Sequence, residues 1–174
     1  RELDNPDSPL RHAFLAGLGT GHLKTFASFL RWNRDLRPGG EEFDIAAAVE
    51  EFVRQFVPQA RALYARMQAR CPSPDCSCNS RIVAAVRSAD RLDAAAAGDR
   101  FACVPAIPAL GLSRPRNACK PHKDECLNEL NGLEQLAGPL RGPAAHVLVC
   151  KLAEVLRGMG EEYEREKRRR AWLD

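Results

Sequence analysis

The sequence predicts an all-α fold, a disulfide-braced bundle of about five helices forming one domain over residues 1–174. Three observations predict it. Apolar residues recur at three- and four-residue steps, the repeat of a helix face. Capping residues, Pro and Gly stand where such helices should begin and end. No stretch shows the period-2 alternation of a strand, and no internal repeat occurs.

Ser8-Pro9 reads as an N-cap followed by a first helical residue, because Pro has no N–H to leave unsatisfied. A helical pattern runs through Leu10, Phe14 and Leu18, interrupted by Gly17, Gly19 and Gly21. Thr20 can cap a second piece with Leu23, Phe26 and Leu30 on one face, stopped by Arg37-Pro38-Gly39-Gly40. Asp44 is placed to cap the clearest helix, in which Ile45, Val49, Phe52, Phe56, Ala60, Leu63 and Met67 share a stripe. Pro58 falls inside it and is expected to kink it, since it removes one ladder hydrogen bond. Residues 71–78, with two prolines and three cysteines, read as a constrained non-helical loop. Asn79 or Ser80 then caps a helix with Ile82, Val83, Val86, Ala89 and Leu92 inward, ending near Gly98.

From Phe101 to Pro121 the chain carries Pro105, Pro108, Pro115 and Pro121 and reads as a long irregular segment, 101–121. A loop of this length is expected to be tied down or functional, and Cys103 and Cys119 near its ends suggest a tie. Asp124 opens a short helix through Cys126, Leu127, Leu130 and Leu133, ended by Gly138-Pro139. Gly142-Pro143 starts the last helix, with Val149, Leu152, Leu156 and Tyr163 inward and Leu148, Val155 and Met159 beside them.

Composition narrows the class. Hydrophobic residues at 45 % and charged residues at 28 % match globular averages and exclude bulk disorder. A chain of this length buries roughly 70 % of its extended surface, enough for a core without staples. No uncharged stretch reaches the ~18 residues of a membrane span. A net charge of +3 is too mild to point to nucleic acid. The basic run at Arg165 and Lys167–Arg170 is balanced by acids: residues 161–174 hold five acids and five bases. Such a run, near a helix C-terminus, suits a solvated terminal helix. The chain starts at Arg1 rather than Met, as expected of a processed or excised product. Arg1–Pro9 is polar and shows no leader pattern.

Seven cysteines carry most of the remaining information: Cys71, Cys76, Cys78, Cys103, Cys119, Cys126 and Cys150. An odd count leaves at least one thiol without an internal partner, which permits a covalent dimer. The leading account is disulfides, with the loop at 71–78 as hub. Cys76 and Cys78 are one residue apart, so their side chains should diverge and each should need a remote partner. A second account is metal. Cys119, His122 and Cys126 have Cys-x2-His-x3-Cys spacing, and His146 and Cys150 lie one turn apart on one helix face. No pair of Cys-x2-Cys knuckles supports it. A third account keeps the thiols reduced and packed, with Cys150 as a small core residue.

Gly17-Leu18-Gly19-Thr20-Gly21-His22-Leu23-Lys24-Thr25 resembles a phosphate loop only loosely. It lacks the Gly-Lys-Ser/Thr ending and a preceding strand. A nucleophilic cysteine paired with His12, His22, His122 or His146 finds no local signature. No enzymatic activity and no cofactor are therefore expected. The expectation is a secreted or extracellular domain for protein–protein recognition, a ligand, receptor ectodomain or soluble binding protein. The alternative is an intracellular helical regulator or adaptor, with zinc held by Cys and His as one variant. The partner is a protein of unstated identity, with Ile107 and Leu110 in the extended segment and Trp172 near the terminus as contact candidates, since scaffolded loops and tryptophans commonly carry binding.

Overall fold

The computed structural model describes residues 4–5, 7–32, 45–68, 70, 75–112 and 122–169, the side chains of 29, 31, 32 and 68 apart. Asp44, Cys71, Cys119, Trp172 and the stop at 37–40 lie outside them. Among the described residues the fold is all-α: six α-helices, two 3-10 turns and no strand.

Helix α1, Pro9–Leu15, begins behind Ser8 as the Ser-Pro pair predicts. It ends in a Schellman closure. The Gly17 N–H bonds to the Phe14 carbonyl at 2.9 Å and the Leu18 N–H to the Ala13 carbonyl at 2.9 Å. Gly17 sits at φ +89°, a left-handed conformation that glycine adopts without a Cβ penalty. Helix α2, Thr20–Trp32, follows after the four residues 16–19.

Helix α3, Ala46–Gln68, runs unbroken through Pro58. Pro58 is exposed, so the carbonyl it leaves without a helical donor, that of exposed Arg54, faces water. The seven stripe residues from Ile45 to Met67 are all buried. Helix α4, Ser77–Ala94, starts earlier than its sequence suggests, with Cys76 as N-cap in extended conformation. Its inward face is Cys78, Ile82, Ala85, Ala89 and Leu92, while Val83 and Val86 are half-buried. The helix stops at Ala94, four residues short of Gly98.

The segment expected to be irregular is partly helical. A 3-10 turn at Ala97–Asp99 leads into α5, Arg100–Cys103, and a second turn at Val104–Ala106. Pro105 is compatible with that turn because the first residues of a turn donate no internal bond. Only 107–112 is irregular, and 113–121 lies outside the described residues.

Helix α6, Lys123–Arg169, is one element of 47 residues where two were expected. Pro139 is exposed and Pro143 half-buried, and the carbonyls they free belong to exposed Gln135 and Pro139. On the opposite side Ala137 and Ala144 are fully buried, so burial spans the two prolines and carries the helix across them. Continuity also fixes the phase. Cys126, Leu130, Leu133, Ala137, Ala144, Leu148 and Leu152 face inward, leaving Val149 and Tyr163 exposed. Helices α3 and α4 pair most extensively, and α6 packs on both while also meeting α1 and α2. One core cluster runs from Ile45 to Leu148.

Candidate functional site

Four places among the described residues gather chemistry-bearing side chains. The first is the junction where α3 ends and α4 and α6 begin. Cys76, Cys78 and Cys126 are all at least 98 % buried there and belong to the common core. Cys76 and Cys126 both act on the Cys78 thiol. No disulfide joins Cys76 to Cys78, as their one-residue spacing predicts. Cys76 is an extended N-cap and Cys78 the second residue of the helix. Burial, then the Cys78 thiol, push Cys126 up, and burial also raises Cys78. These sulfurs carry protons at neutral pH and are weak nucleophiles in that state. Two ion pairs lock the junction from outside: Arg66 to Glu129 and Arg70 to Glu125, each 2.8 Å.

The second place is a buried polar cluster. Asp99, 1 % exposed, accepts Arg11 Nε at 3.0 Å and Nη2 at 2.8 Å on one oxygen. His12 Nε2 lies 3.2 Å from the other. The His12 ring meets Phe101 edge-on at 4.7 Å, and Lys151 Nζ lies 4.9 Å from the Phe101 ring centre. This cluster pins α1 to α5. Cys103 lies in α5, and its thiol is raised by burial, so it offers no activated nucleophile beside His12.

The third place is the exposed side of α6. His146 Nε2 and Cys150 Sγ are 3.6 Å apart, one turn from each other as their spacing predicts. The structure does not bring this pair to Cys126. Cys126 and Cys150 are on one continuous helix, 24 residues apart, which is about 36 Å along its axis. Cys119, His122, Cys126, His146 and Cys150 therefore cannot hold one ion. Among the described residues no group of three His, Cys, Asp or Glu side chains is arranged to hold a metal.

The fourth place is a groove of about 740 Å³ between α2 and the last third of α6. Leu30 and Leu156 lie among its apolar lining, with Met159, Tyr163, Arg165 and Arg168 also around it. Met159 is 54 % and Tyr163 56 % exposed. The sequence pattern had turned Tyr163 inward. Its exposure follows from the phase of α6, which only the joining of the two predicted helices reveals.

The contact candidates in the extended segment are corrected. Ile107 and Leu110 are 3 % and 0 % exposed. They are core residues, because the segment is pulled down by Glu134 and Arg141. Glu134 Oε2 accepts the N–H of Leu110 at 2.7 Å and of Gly111 at 3.4 Å. Arg141 donates to Glu134 and to the carbonyls of Ile107 and Pro108. A Cβ on Gly111 would sit 3.2 Å from both Asn131 and Glu134, so a larger residue there would press on those two side chains.

The five described cysteines, Cys76, Cys78, Cys103, Cys126 and Cys150, are thiols and no disulfide is formed among them. The bracing expected from the sequence is not a feature of the described structure. No helix among the described residues is long and apolar enough to cross a membrane. No family model, curated protein or solved structure is significantly similar to this chain.

Proposed function

We propose that this chain is a non-enzymatic extracellular domain for protein–protein recognition, a ligand, receptor ectodomain or soluble binding protein braced by disulfides. The observation that carries the reading is the α2–α6 groove, where Met159 and Tyr163 stand more than half exposed beside an apolar floor. Large apolar side chains gathered on a polar-rimmed surface mark contact sites more often than chance exposure. Tyrosine also combines contact area with a polar tip. The burial-raised thiols of Cys78, Cys103 and Cys126 favour packing over nucleophilic chemistry at those positions.

Thiol counting tests the address. Protein from its native source is denatured and titrated before and after reduction, with metal measured on the same sample. The expected result is a rise of at least four thiols on reduction and no stoichiometric metal. Seven thiols before reduction overturn the reading. The runner-up is a reduced intracellular regulator or adaptor, favoured by one observation: all five described cysteines are thiols. Near-stoichiometric zinc would establish its metal-holding form.

A further inference from the structure

We propose that Cys150 is a site of thiol–disulfide exchange, at which His146 takes the thiol's proton and a low-molecular-weight disulfide, such as glutathione disulfide, caps the sulfur.

Geometry selects the pair. His146 and Cys150 are four residues apart within α6, so their side chains stand one above the other on one helix face. His146 Nε2 lies 3.6 Å from Cys150 Sγ, a hydrogen-bonding distance for a sulfur atom. The helix beneath them is held in place, because Ala144, Leu148, Leu152 and Ala153 are all buried on its core side. His146 itself is exposed and Cys150 half-buried, and Val149 beside them is 42 % exposed. A reagent therefore meets the sulfur from solvent. Lys151, the next residue, has its Nζ 4.9 Å from the Phe101 ring centre, which leaves His146 as the base in contact with the sulfur.

Exposure together with a base sets Cys150 apart. Cys76, Cys78, Cys103 and Cys126 are each between 1 % and 3 % exposed, and a reagent reaches them only when the core opens. Cys150 looks like a core thiol in the sequence because Val147, Leu148 and Val149 precede it. The phase of α6 turns Leu148 inward instead and leaves Cys150 at the boundary with solvent. Metal is the competing use of a Cys–His pair, but no third ligand among the described residues completes a site.

The step balances. With the ring proton on Nδ1, Nε2 accepts the proton of the Cys150 S–H, and the thiolate attacks one sulfur of the disulfide. A bond forms between Cys150 Sγ and one glutathione sulfur, and the S–S bond of the reagent breaks. The leaving glutathione thiolate takes the proton back from Nε2. The Cys150 sulfur is oxidised and one glutathione is reduced, so no other oxidant is needed. The reverse exchange with a free thiol removes the cap. The surroundings supply the disulfide, so the site stands independently of the extracellular reading above.

The whole chain is reduced without denaturant, desalted and checked for helicity by circular dichroism. It is then incubated with glutathione disulfide near neutral pH, alkylated at intervals and mapped by peptide mass spectrometry. The adduct should form at Cys150 at least about tenfold faster than at Cys76, Cys78, Cys103 or Cys126. His146→Gln removes the base from an exposed position. It should slow the adduct at Cys150 by about tenfold or more, with helicity and melting temperature unchanged. In concentrated urea the helical spacing is lost, and the two chains should react at Cys150 at the same rate. Reaction at Cys150 no faster than at the four buried thiols overturns the proposal. So does equal reactivity of wild type and His146→Gln in the folded chain. Seven thiols in native material would sink the extracellular reading and leave these rates as they are.

Discussion

At Glu134 one carboxylate serves two backbone N–H groups and the Arg141 guanidinium, and the irregular stretch 107–111 is held down as a result. Hydrogen bonds from Arg141 and from the Leu110 backbone favour the charged form, and the Glu134 pKa falls from 4.5 to about 2. A folded pKa below the unfolded one adds stability that is fully present above pH 4.5 and is lost as pH falls from there towards 2. Glu134→Gln should therefore be less stable than wild type by about 2–3 kcal/mol at pH 7, converging with it near pH 2. Urea unfolding at pH 7, 4 and 2.5 reads this directly. A gap that stays constant across that range would mean the carboxylate's charge contributes nothing. Asp99 acts similarly for α1 but from full burial, so Arg11 and His12 serve to satisfy a group that could not otherwise be placed there.

The elements show where local sequence decides structure and where it yields to packing. Pro139 and Pro143 are strong helix stops in isolation, yet α6 continues through both. The stripe from Cys126 to Leu152 gains more by staying in register than each missing hydrogen bond costs, and the freed carbonyls face water. Pro139→Ala should restore one ladder bond. The interior penalty of Pro is ~3 kcal/mol, and part of the gain is offset by the freer unfolded chain, so thermal unfolding should show a net gain of about 2 kcal/mol. A lower melting temperature would mean that α6 bends at Pro139 in solution. The stripe of α3 was legible because seven residues at helical spacing leave one face to bury, and the end of α1 because only glycine takes φ +89° cheaply. The join within α6 was not legible, since its cause, the burial of Ala137 and Ala144, is tertiary. The exposure of Tyr163 and the groove beside it were lost with that join. Ile107 and Leu110 looked like loop contacts because nothing local reveals that Glu134, more than twenty residues later, draws them inward. Of the thiol junction, Cys126 at the start of a helix was legible, but its meeting with Cys76 and Cys78 depends on how α4 crosses α6.

Across the whole molecule, stability should be graded from one end to the other. The core lies between α3, α4 and the first two thirds of α6, where Phe56, Leu63, Ile82, Leu92, Leu130 and Leu133 are among the largest fully buried side chains. Beyond Ala153 no described residue of α6 is buried. The last turns include local contacts such as Arg169 to Glu166 at 2.9 Å and Lys167 at 5.8 Å from the Tyr163 ring centre. Pairs of this kind contribute only about 0.2–0.5 kcal/mol each. Hydrogen exchange should therefore divide the chain. Amides of 49–63 and 82–92 should exchange only through global unfolding, whereas those of 158–169 should open locally and exchange orders of magnitude faster. A partner seated in the α2–α6 groove would bury Met159 and Tyr163 and hold the last turns closed, so the fast set should slow on binding while the core set, already limited by global opening, slows only by the added binding energy. If 158–169 in the free chain were as protected as 82–92, the groove would already be covered, and the surface offered to a partner would have to lie elsewhere.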